Sequence, residues 1–262
     1  MPDLHQATLT YHAIVAAADA SVPPALRLVA DPVRWRLLRE LAQGDLRVRE
    51  LVAAVGESQN LVSYHLRRLR AGGLVAARRS SFDGRDTYYS LDLVGCANAL
   101  ADAGHALHPG LAFQGAAFAG TGAAAPRRVL FVCTGNSGRS PMAAALLRHN
   151  GGRRVTAASA GTRPRPLHPA AASVLRDRYR IDISGHQPTP VTAVASTPFD
   201  YVISLCDKAR EECPEFAGSP RRVHWSLPDP AAGVTTPRAA YASFDRLATE
   251  LTTRIHYLLP AL

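Results

Sequence analysis

The sequence predicts two domains of different fold class: an N-terminal α+β domain, and a C-terminal three-layer α/β domain with a parallel four-stranded sheet between helices. Short helical patterns and two strand-like runs come first, a stretch rich in glycine and alanine follows, and strand-like and helical runs then alternate. A chain of 262 residues is long enough to bury two modest cores. We therefore expect one domain over residues 1–108, a linker over 109–126 and a second domain over 127–262.

Three short helices are predicted in the first domain. Asp31 followed by Pro32 is a typical helix start, an N-cap and then a proline in the first turn. A second helix is expected from about Val48 to Val55. Ser58 is expected to cap a third helix that ends at Gly72, because glycine commonly follows the last turn of a helix.

A hairpin is predicted to follow these helices. Two strand-like runs, 74–80 and 86–91, flank the turn sequence Phe82-Asp83-Gly84-Arg85. Three helices and a hairpin together predict a winged helix-turn-helix. This part of the chain, roughly residues 25–108, resembles the ArsR/SmtB repressor family. The runs that carry the resemblance are Ala30-Asp31-Pro32-Val33-Arg34, Ser63-Tyr64-His65-Leu66, Leu69-Arg70-Ala71-Gly72-Gly73-Leu74-Val75 and Tyr88-Tyr89-Ser90-Leu91.

The resemblance implies a homodimer on a double-stranded DNA operator, with the third helix in a major groove and the wing against the backbone. The residues expected to contact base edges or to fix the register are Gln59, Asn60, Ser63 and His65. The residues expected to contact phosphates are Arg67, Arg68, Arg78, Arg79 and Arg85. A solvated basic face is the alternative for any one of these arginines.

The usual sensor ligands of the family are incomplete in this chain. Asp92, His105 and His108 are weak metal candidates, because Val94 stands where zinc-sensing members carry a further histidine. Arsenite-sensing members carry a Cys-x-Cys pair, whereas the matching stretch here, 46–50, has no cysteine. We therefore predict no bound metal, and the inducer stays open.

The second domain begins with a sequence suited to oxyanion chemistry. The apolar run 129–132 is typical of a short buried strand, and it ends at Cys133. The residues expected to cradle a tetrahedral oxyanion with their backbone are Thr134, Gly135, Asn136, Ser137 and Gly138. Arg139 is expected to curl back over the anion and to favour the thiolate form of Cys133, to whose sulfur Ser140 donates a hydrogen bond.

From about Arg127 to its C-terminus the chain resembles the low-molecular-weight protein tyrosine phosphatase fold, and within it the thiol-dependent arsenate reductases. The resemblance implies that Cys133 is the nucleophile. It also implies that Asp229 is the general acid that protonates the leaving oxygen, with Pro230 holding its loop in position. This chemistry alone does not distinguish phosphate from arsenate.

Two further cysteines favour arsenate. Cys206 and Cys213 are seven positions apart, and a helix would separate them by about 10 Å, too far for a disulfide without rearrangement. The resemblance implies that Cys206 attacks the arsenate adduct on Cys133 and that Cys213 then closes a redox-active disulfide with Cys206. No bound cofactor is expected, and the external reductant is thioredoxin or a low-molecular-weight thiol. Two core cysteines are the alternative.

Departures from the family patterns keep other functions open. Gly138 stands where many arsenate reductases have another cysteine, and Ala144 replaces a glutamate that supports a monovalent cation in some members, so no such ion is predicted. The run 231–233 lacks the aromatic residues typical of tyrosine phosphatases. The alternatives are a tyrosine or arginine phosphatase fused to a regulator, and a repressor that only binds an oxyanion; residual phosphatase activity is compatible with the first function.

Charge and hydropathy predict a cytoplasmic protein. Neither a signal peptide nor a membrane span is visible, so the cysteines are expected to be reduced at rest. The net charge is +9, but residues 1–120 carry 12 basic and 11 acidic side chains, whereas 121–262 carry 18 and 10. The positive excess therefore suits attraction of a small anion at least as well as DNA.

Overall fold

The structure is a computed structural model that describes residues 22–82, 84–108, 111 and 125–262. Almost all of the predicted linker, 109–126, lies outside the described residues, as do residues 1–21. None of the described helices is both long and apolar enough to cross a lipid bilayer.

The first part of the chain contains five helices and three strands among its described residues. They are α1 (Pro24–Val29), α2 (Pro32–Leu41), β1 (Leu46–Arg47), α3 (Val48–Val55), α4 (Gln59–Ala71), β2 (Val75–Arg79), β3 (Thr87–Leu91) and α5 (Leu93–Leu107). The strands form an antiparallel sheet in the order β1-β3-β2. The predicted helices and hairpin are confirmed, whereas α1 and β1 are too short to show a periodic pattern in the sequence.

The caps that the sequence indicated form as expected. The Asp31 carboxylate accepts a hydrogen bond from the Arg34 backbone N–H at 2.9 Å, and the Ser58 hydroxyl accepts one from Leu61 N–H at 3.4 Å. Gly56 ends α3 with φ +70°, in the left-handed region that favours glycine. The helices and hairpin enclose a small core whose fully buried leucines are Leu37, Leu51, Leu66 and Leu69.

The second part of the chain is the predicted parallel α/β domain. Its elements are β4 (Arg127–Cys133), α6 (Arg139–Gly151), β5 (Val155–Gly161), α7 (Pro169–Tyr179), β6 (Tyr201–Ser204), α8 (Asp207–Glu212), β7 (Arg221–His224) and α9 (Pro237–Leu258). All four strands are parallel, in the order β5-β4-β6-β7. Helices flank the sheet, and the central strand β4 is buried from Val129 to Cys133.

The topology determines where a site can lie. The carboxyl ends of β4 and β6 are neighbours, and Leu205 N–H donates to Val132 O at 2.7 Å just beyond them. Open parallel sheets bind ligands beyond these ends. Cys133 is the last residue of β4 and Cys206 lies two residues beyond the end of β6, so the fold places both thiols at the carboxyl ends of neighbouring strands.

Candidate active site

Cys133 lies at the base of a loop that joins β4 to α6, and its side chain is almost fully buried. The Asn136 backbone N–H points at the Cys133 Sγ from 3.2 Å, and the Ser140 Oγ lies 3.0 Å from the same sulfur. The loop borders a cavity of about 260 Å³. The members of the predicted cradle that line this cavity are Thr134, Gly135, Ser137 and Gly138.

Asn136 contributes differently from the rest of the predicted cradle. Its backbone is left-handed, with φ +47°, and its side chain is fully buried. Its amide Nδ2 donates to Ser140 Oγ at 2.9 Å and to Ser159 Oγ at 3.0 Å, and its Oδ1 accepts from Thr189 N–H at 2.8 Å. The side chain therefore shapes the loop from behind, and only the backbone N–H faces the cysteine.

Ser140 is likewise held from behind the loop. Its hydroxyl oxygen accepts the hydrogen bond from Asn136 Nδ2. The same oxygen lies 3.3 Å from Ala160 O and 3.0 Å from Cys133 Sγ. A hydroxyl has one proton to donate. The Ser140 hydroxyl is therefore placed to donate to a Cys133 thiolate, as predicted, or to the Ala160 carbonyl when Cys133 is a thiol.

Arg139 and Asp229 meet at the side of the cavity. The buried Arg139 donates through Nη1 to Leu227 O at 3.2 Å, and its Nη2 lies 3.7 Å from Asp229 Oδ2. Burial alone would lower the pKa of Arg139, but electrostatic interactions with its neighbours Cys206, Cys133 and Asp229 raise it above its ordinary value. A charged guanidinium therefore faces the place where an anion would bind. The Asp229 side chain is half exposed.

Cys206 lies in the same cavity as Cys133. It is nearly fully buried, and its Sγ is 3.3 Å from the Thr134 Oγ1, in the residue next to Cys133. Two thiols from neighbouring strand ends thus border one small, positively charged space.

Cys213 lies at the far end of α8, outside this cavity. It lines a second cavity of about 380 Å³, which residues of the first domain such as Gly44 and Asp45 also border. Burial raises the pKa of the Cys213 thiol to about 11. All four cysteines are free thiols in the structure. A disulfide between Cys206 and Cys213 would require the helix between them to rearrange.

The cavity includes side chains that no sequence motif indicated. They are Ser81, Arg165, His168, Lys208 and Phe244. The His168 ring stacks on the Phe244 ring with centroids 4.5 Å apart. Lys208 is the only lysine in the chain, yet a lone basic residue gives no spacing signal. Ser81 belongs to the first domain, and nothing in its local sequence indicates this contact.

Phe244 also explains why position 138 holds a glycine. A Cβ added at Gly138 would lie 2.8 Å from Phe244 Cε1, closer than real Cβ contacts. The phenyl ring therefore occupies the space that a side chain at this position of the loop would need.

Helix α4, the third of the helices predicted from the sequence, presents most of the predicted DNA contacts to solvent. Gln59, Asn60, Arg67 and Arg68 are exposed, and Ser63 is half-buried. The prediction that His65 contacts a base edge is wrong. His65 is buried, and its Nδ1 lies 3.8 Å from Asp31 Oδ1.

The prediction that Arg78 contacts a DNA phosphate is also wrong. Its guanidinium donates to Ser226 O at 2.7 Å and to the Asp207 carboxylate at 3.3 Å, both in the second domain. It is therefore engaged within the chain instead of facing DNA. Arg79 and Arg85 are exposed on the wing.

Asp92 has a structural role that accounts for its position. Its carboxylate caps α5 by accepting from Gly95 N–H at 2.8 Å. Within the described ranges, no group of three or more His, Cys, Asp or Glu residues is placed to hold a metal ion.

Two family comparisons match the two parts of the chain. Residues 128–262, just over half of the chain, match the family described as low molecular weight phosphotyrosine protein phosphatase. The chain belongs to this family. Residues 31–77 match the bacterial regulatory protein, arsR family. The predicted fusion of an ArsR-type helix-turn-helix with a domain of the phosphatase fold is thereby confirmed.

Relatives of the second domain carry the name arsenate reductase. The arsenate reductase of Bacillus licheniformis is 33% identical over 129 residues, which cover 49% of this chain and 92% of that protein. Arsenate reductase 2 of Staphylococcus saprophyticus is 30% identical over 129 residues, 49% of this chain and 93% of that protein. A solved arsenate reductase in its oxidized state is 27% identical with a TM-score of 0.44, covering 51% of this chain and 96% of that chain. A low molecular weight protein tyrosine phosphatase from T. tengcongensis is 28% identical with a TM-score of 0.44, covering 52% and 99%.

Proposed function

We propose that this protein reduces arsenate to arsenite by a cysteine relay and that its first domain is a DNA-binding regulator of arsenic resistance. One observation carries the proposal: Cys133 and Cys206 border the same cavity, and a single short helix separates Cys206 from Cys213. A phosphatase needs only the first of these thiols.

The first step is attack on a bound arsenate. The loop N–H groups and Arg139 hold the oxyanion, and the Cys133 thiolate attacks arsenic in line with the leaving oxygen. Asp229 protonates that oxygen, which leaves as water while a sulfur–arsenic bond forms. Arsenic is still pentavalent at this stage.

The second step transfers two electrons. The Cys206 thiolate attacks the Cys133 sulfur, the sulfur–arsenic bond breaks with its electron pair on arsenic, and arsenite leaves. Cys213 then attacks the Cys206 sulfur and expels the Cys133 thiolate. The enzyme ends with a Cys206–Cys213 disulfide, and an external dithiol such as thioredoxin, or a low-molecular-weight thiol, restores both cysteines.

The first domain is proposed to act as a homodimer on an operator. Support for DNA contact comes from the exposed face of α4, with Gln59, Asn60 and Arg67. Support for dimerisation comes from α5. Its residues Leu100 and Leu107 are seven positions apart and 58% and 75% exposed, so they offer an apolar strip to a second copy of the chain. The cytoplasmic location expected from the sequence is part of this proposal.

One assay tests the relay. Arsenite release is measured from purified protein with thioredoxin, thioredoxin reductase and NADPH. Cys133→Ser and Cys206→Ser are expected to release no arsenite, and Cys213→Ser at most one equivalent per enzyme. Cys96→Ser, which alters a half-buried thiol of the first domain, serves as the matched control and should turn over normally. Multiple turnovers by the Cys206 or Cys213 variant would refute the relay.

A phosphatase is the second candidate, because Cys133, Arg139 and Asp229 form a complete set for phosphoryl transfer without the other thiols. It predicts hydrolysis of an aryl phosphate that Cys206→Ser leaves intact. A third outcome, arsenate-dependent DNA binding that survives Cys133→Ser with no arsenite formed, would identify a regulator that only binds the anion.

A further inference from the structure

The helix between the relay thiols is also the surface on which the wing rests, where the wing means β2, β3 and the residues between them. Asp207, the first residue of α8 and the neighbour of Cys206, is fully buried. Its carboxylate accepts hydrogen bonds from the Ser81 backbone N–H at 2.6 Å and from the Ser81 hydroxyl at 3.1 Å. Arg78 Nη2 donates to both carboxylate oxygens at 3.3 Å. Both partners belong to the wing.

Two further residues of α8 bind the first domain. Arg210 donates to Glu50 Oε1 at 2.6 Å, and Glu211 accepts from Arg47 Nη1 at 3.0 Å. The Arg210 guanidinium also lies 5.5 Å from the centre of the Tyr88 ring. Half of the six residues of α8 thus hold the first domain by charged contacts.

The Asp207 site is built for an ionised carboxylate. Burial alone would raise the pKa of Asp207, but hydrogen bonds from His224, Ser226 and Ser81, together with the charge of Arg78, hold it well below its ordinary value. The wing therefore supplies part of the compensation for a buried charge. If the wing moved away, that carboxylate would lose partners in a site from which water is largely excluded.

Helical α8 is incompatible with the oxidised relay. The Cα atoms of a disulfide lie within about 7 Å of each other, whereas a helical segment of this length separates its flanking cysteines by about 10 Å. Closing the bond between Cys206 and Cys213 must therefore unwind α8. The change would displace Asp207, Arg210 and Glu211, the three residues that contact the first domain.

We propose that Arg78 and Ser81 are positioning residues for the thiol relay, which through Asp207 hold α8 in its helical, dithiol form and are released when Cys206 and Cys213 form a disulfide. The inference rests on the proposed relay. In turnover the two thiols lose two protons, and their two electrons pass to arsenic by way of Cys133. With an added oxidised dithiol, the same electrons reduce its disulfide.

Thermodynamic linkage determines the direction in which loss of the wing contacts shifts the midpoint potential of the Cys206–Cys213 pair. If the wing contacts stabilise the dithiol form, the docked wing makes the Cys206–Cys213 disulfide easier to reduce. Loss of those contacts then favours the disulfide and makes the midpoint potential more negative. A side chain that merely supported the fold would not change this potential.

The midpoint is measured in the full chain with Cys96→Ser and Cys133→Ser in every sample, so that only the relay pair titrates against oxidised and reduced dithiothreitol. Arg78→Gln is expected to shift the equilibrium about tenfold toward the disulfide, which corresponds to about 30 mV for a two-electron couple. Ser81→Ala is expected to shift it in the same direction, and Arg78→Lys to restore much of the loss. Arg178→Gln, which breaks an ion pair with Asp245 on the domain surface, is the matched control. If the dithiol–disulfide equilibrium constant of Arg78→Gln were within twofold of that of its parent, the proposal would be overturned.

Hydrogen exchange gives a second readout that needs neither arsenate nor DNA. The Ser81 amide donates to Asp207 in the dithiol form, so its exchange is expected to quicken at least tenfold after oxidation, with the disulfide verified by mass spectrometry. Unchanged protection in verified disulfide protein would overturn the release of the wing while leaving the relay intact. A wild-type protein that never forms the Cys206–Cys213 bond would remove both proposals.

Discussion

The Asn136 backbone N–H lies 3.2 Å from the Cys133 sulfur, held there by a side chain that is itself fully buried. The side chain bonds three other segments, through Ser140, Ser159 and Thr189. The position of one backbone donor near the nucleophile therefore depends on contacts made behind the loop.

Asn136→Ala is expected to lower the free energy of unfolding by about 1–3 kcal/mol, because it leaves partners of a fully buried side chain, such as the half-buried Thr189 N–H, without their hydrogen bond. Urea unfolding measures the loss, and arsenite release should fall with it. Asn150→Ala is the control, since Asn150 makes one bond to Leu146 O at the end of α6; it should cost less than about 1 kcal/mol. Equal losses for the two variants would contradict the special role of Asn136.

Gly138→Ala is expected to destabilise the protein by about 1–3 kcal/mol, because its Cβ would meet the Phe244 ring. Phe244→Leu removes the atoms of that contact. In thermal unfolding, the double variant should therefore be more stable than the two single losses added together predict. Simple additivity would show that the ring does not limit the loop.

Asp229→Asn is expected to lower kcat for arsenite release about 10²–10⁴-fold, because the amide does not protonate the leaving oxygen. Its stability should change little, since the side chain is half exposed. Asp245→Asn, at a partly exposed aspartate of α9 that pairs with Arg178, is the control for loss of one negative charge. An unchanged kcat for Asp229→Asn would exclude Asp229 as the general acid.

Cys213 is expected to be alkylated slowly in the resting enzyme. Burial raises its pKa from 9.0 to about 11, so below pH 9 it holds about 100-fold less thiolate than an unshifted thiol. Stability from this shift is present below pH 9 and is lost as pH rises through about 11. Iodoacetamide labelling followed by mass spectrometry from pH 7 to 11 should show the rise, with urea-unfolded protein as the comparison. A labelling rate as high as in the unfolded chain would contradict the burial.

Local signals predicted the elements well, because their causes are local. Asp31 and Ser58 cap helices where the sequence placed caps, and Cys133 ends a buried strand as its apolar run indicated. His65 was mispredicted although the pattern contained the answer: it shares the helical stripe of Val62, Leu66 and Leu69, and is buried with them.

Contacts between the domains could not be predicted in this way. Ser81 and Asp207 are 126 positions apart, and no motif around either residue indicates a contact with the other. Arg78 has the charge and the position in the wing that are typical of a phosphate contact. Only the folded structure shows that it pairs with the buried carboxylate of Asp207. Asn136 was predicted as part of the cradle from its neighbours, whereas its role behind the loop depends on segments that follow later in the chain.

Lys208 stands at the rim of the cavity as the chain's single lysine. Apart from the N-terminal amine, an amine-reactive fluorophore has one place to attach. A dye there would lie two residues from Cys206, on the helix that the proposed relay would unwind, and its emission would report that change in real time without a cysteine or tag being introduced.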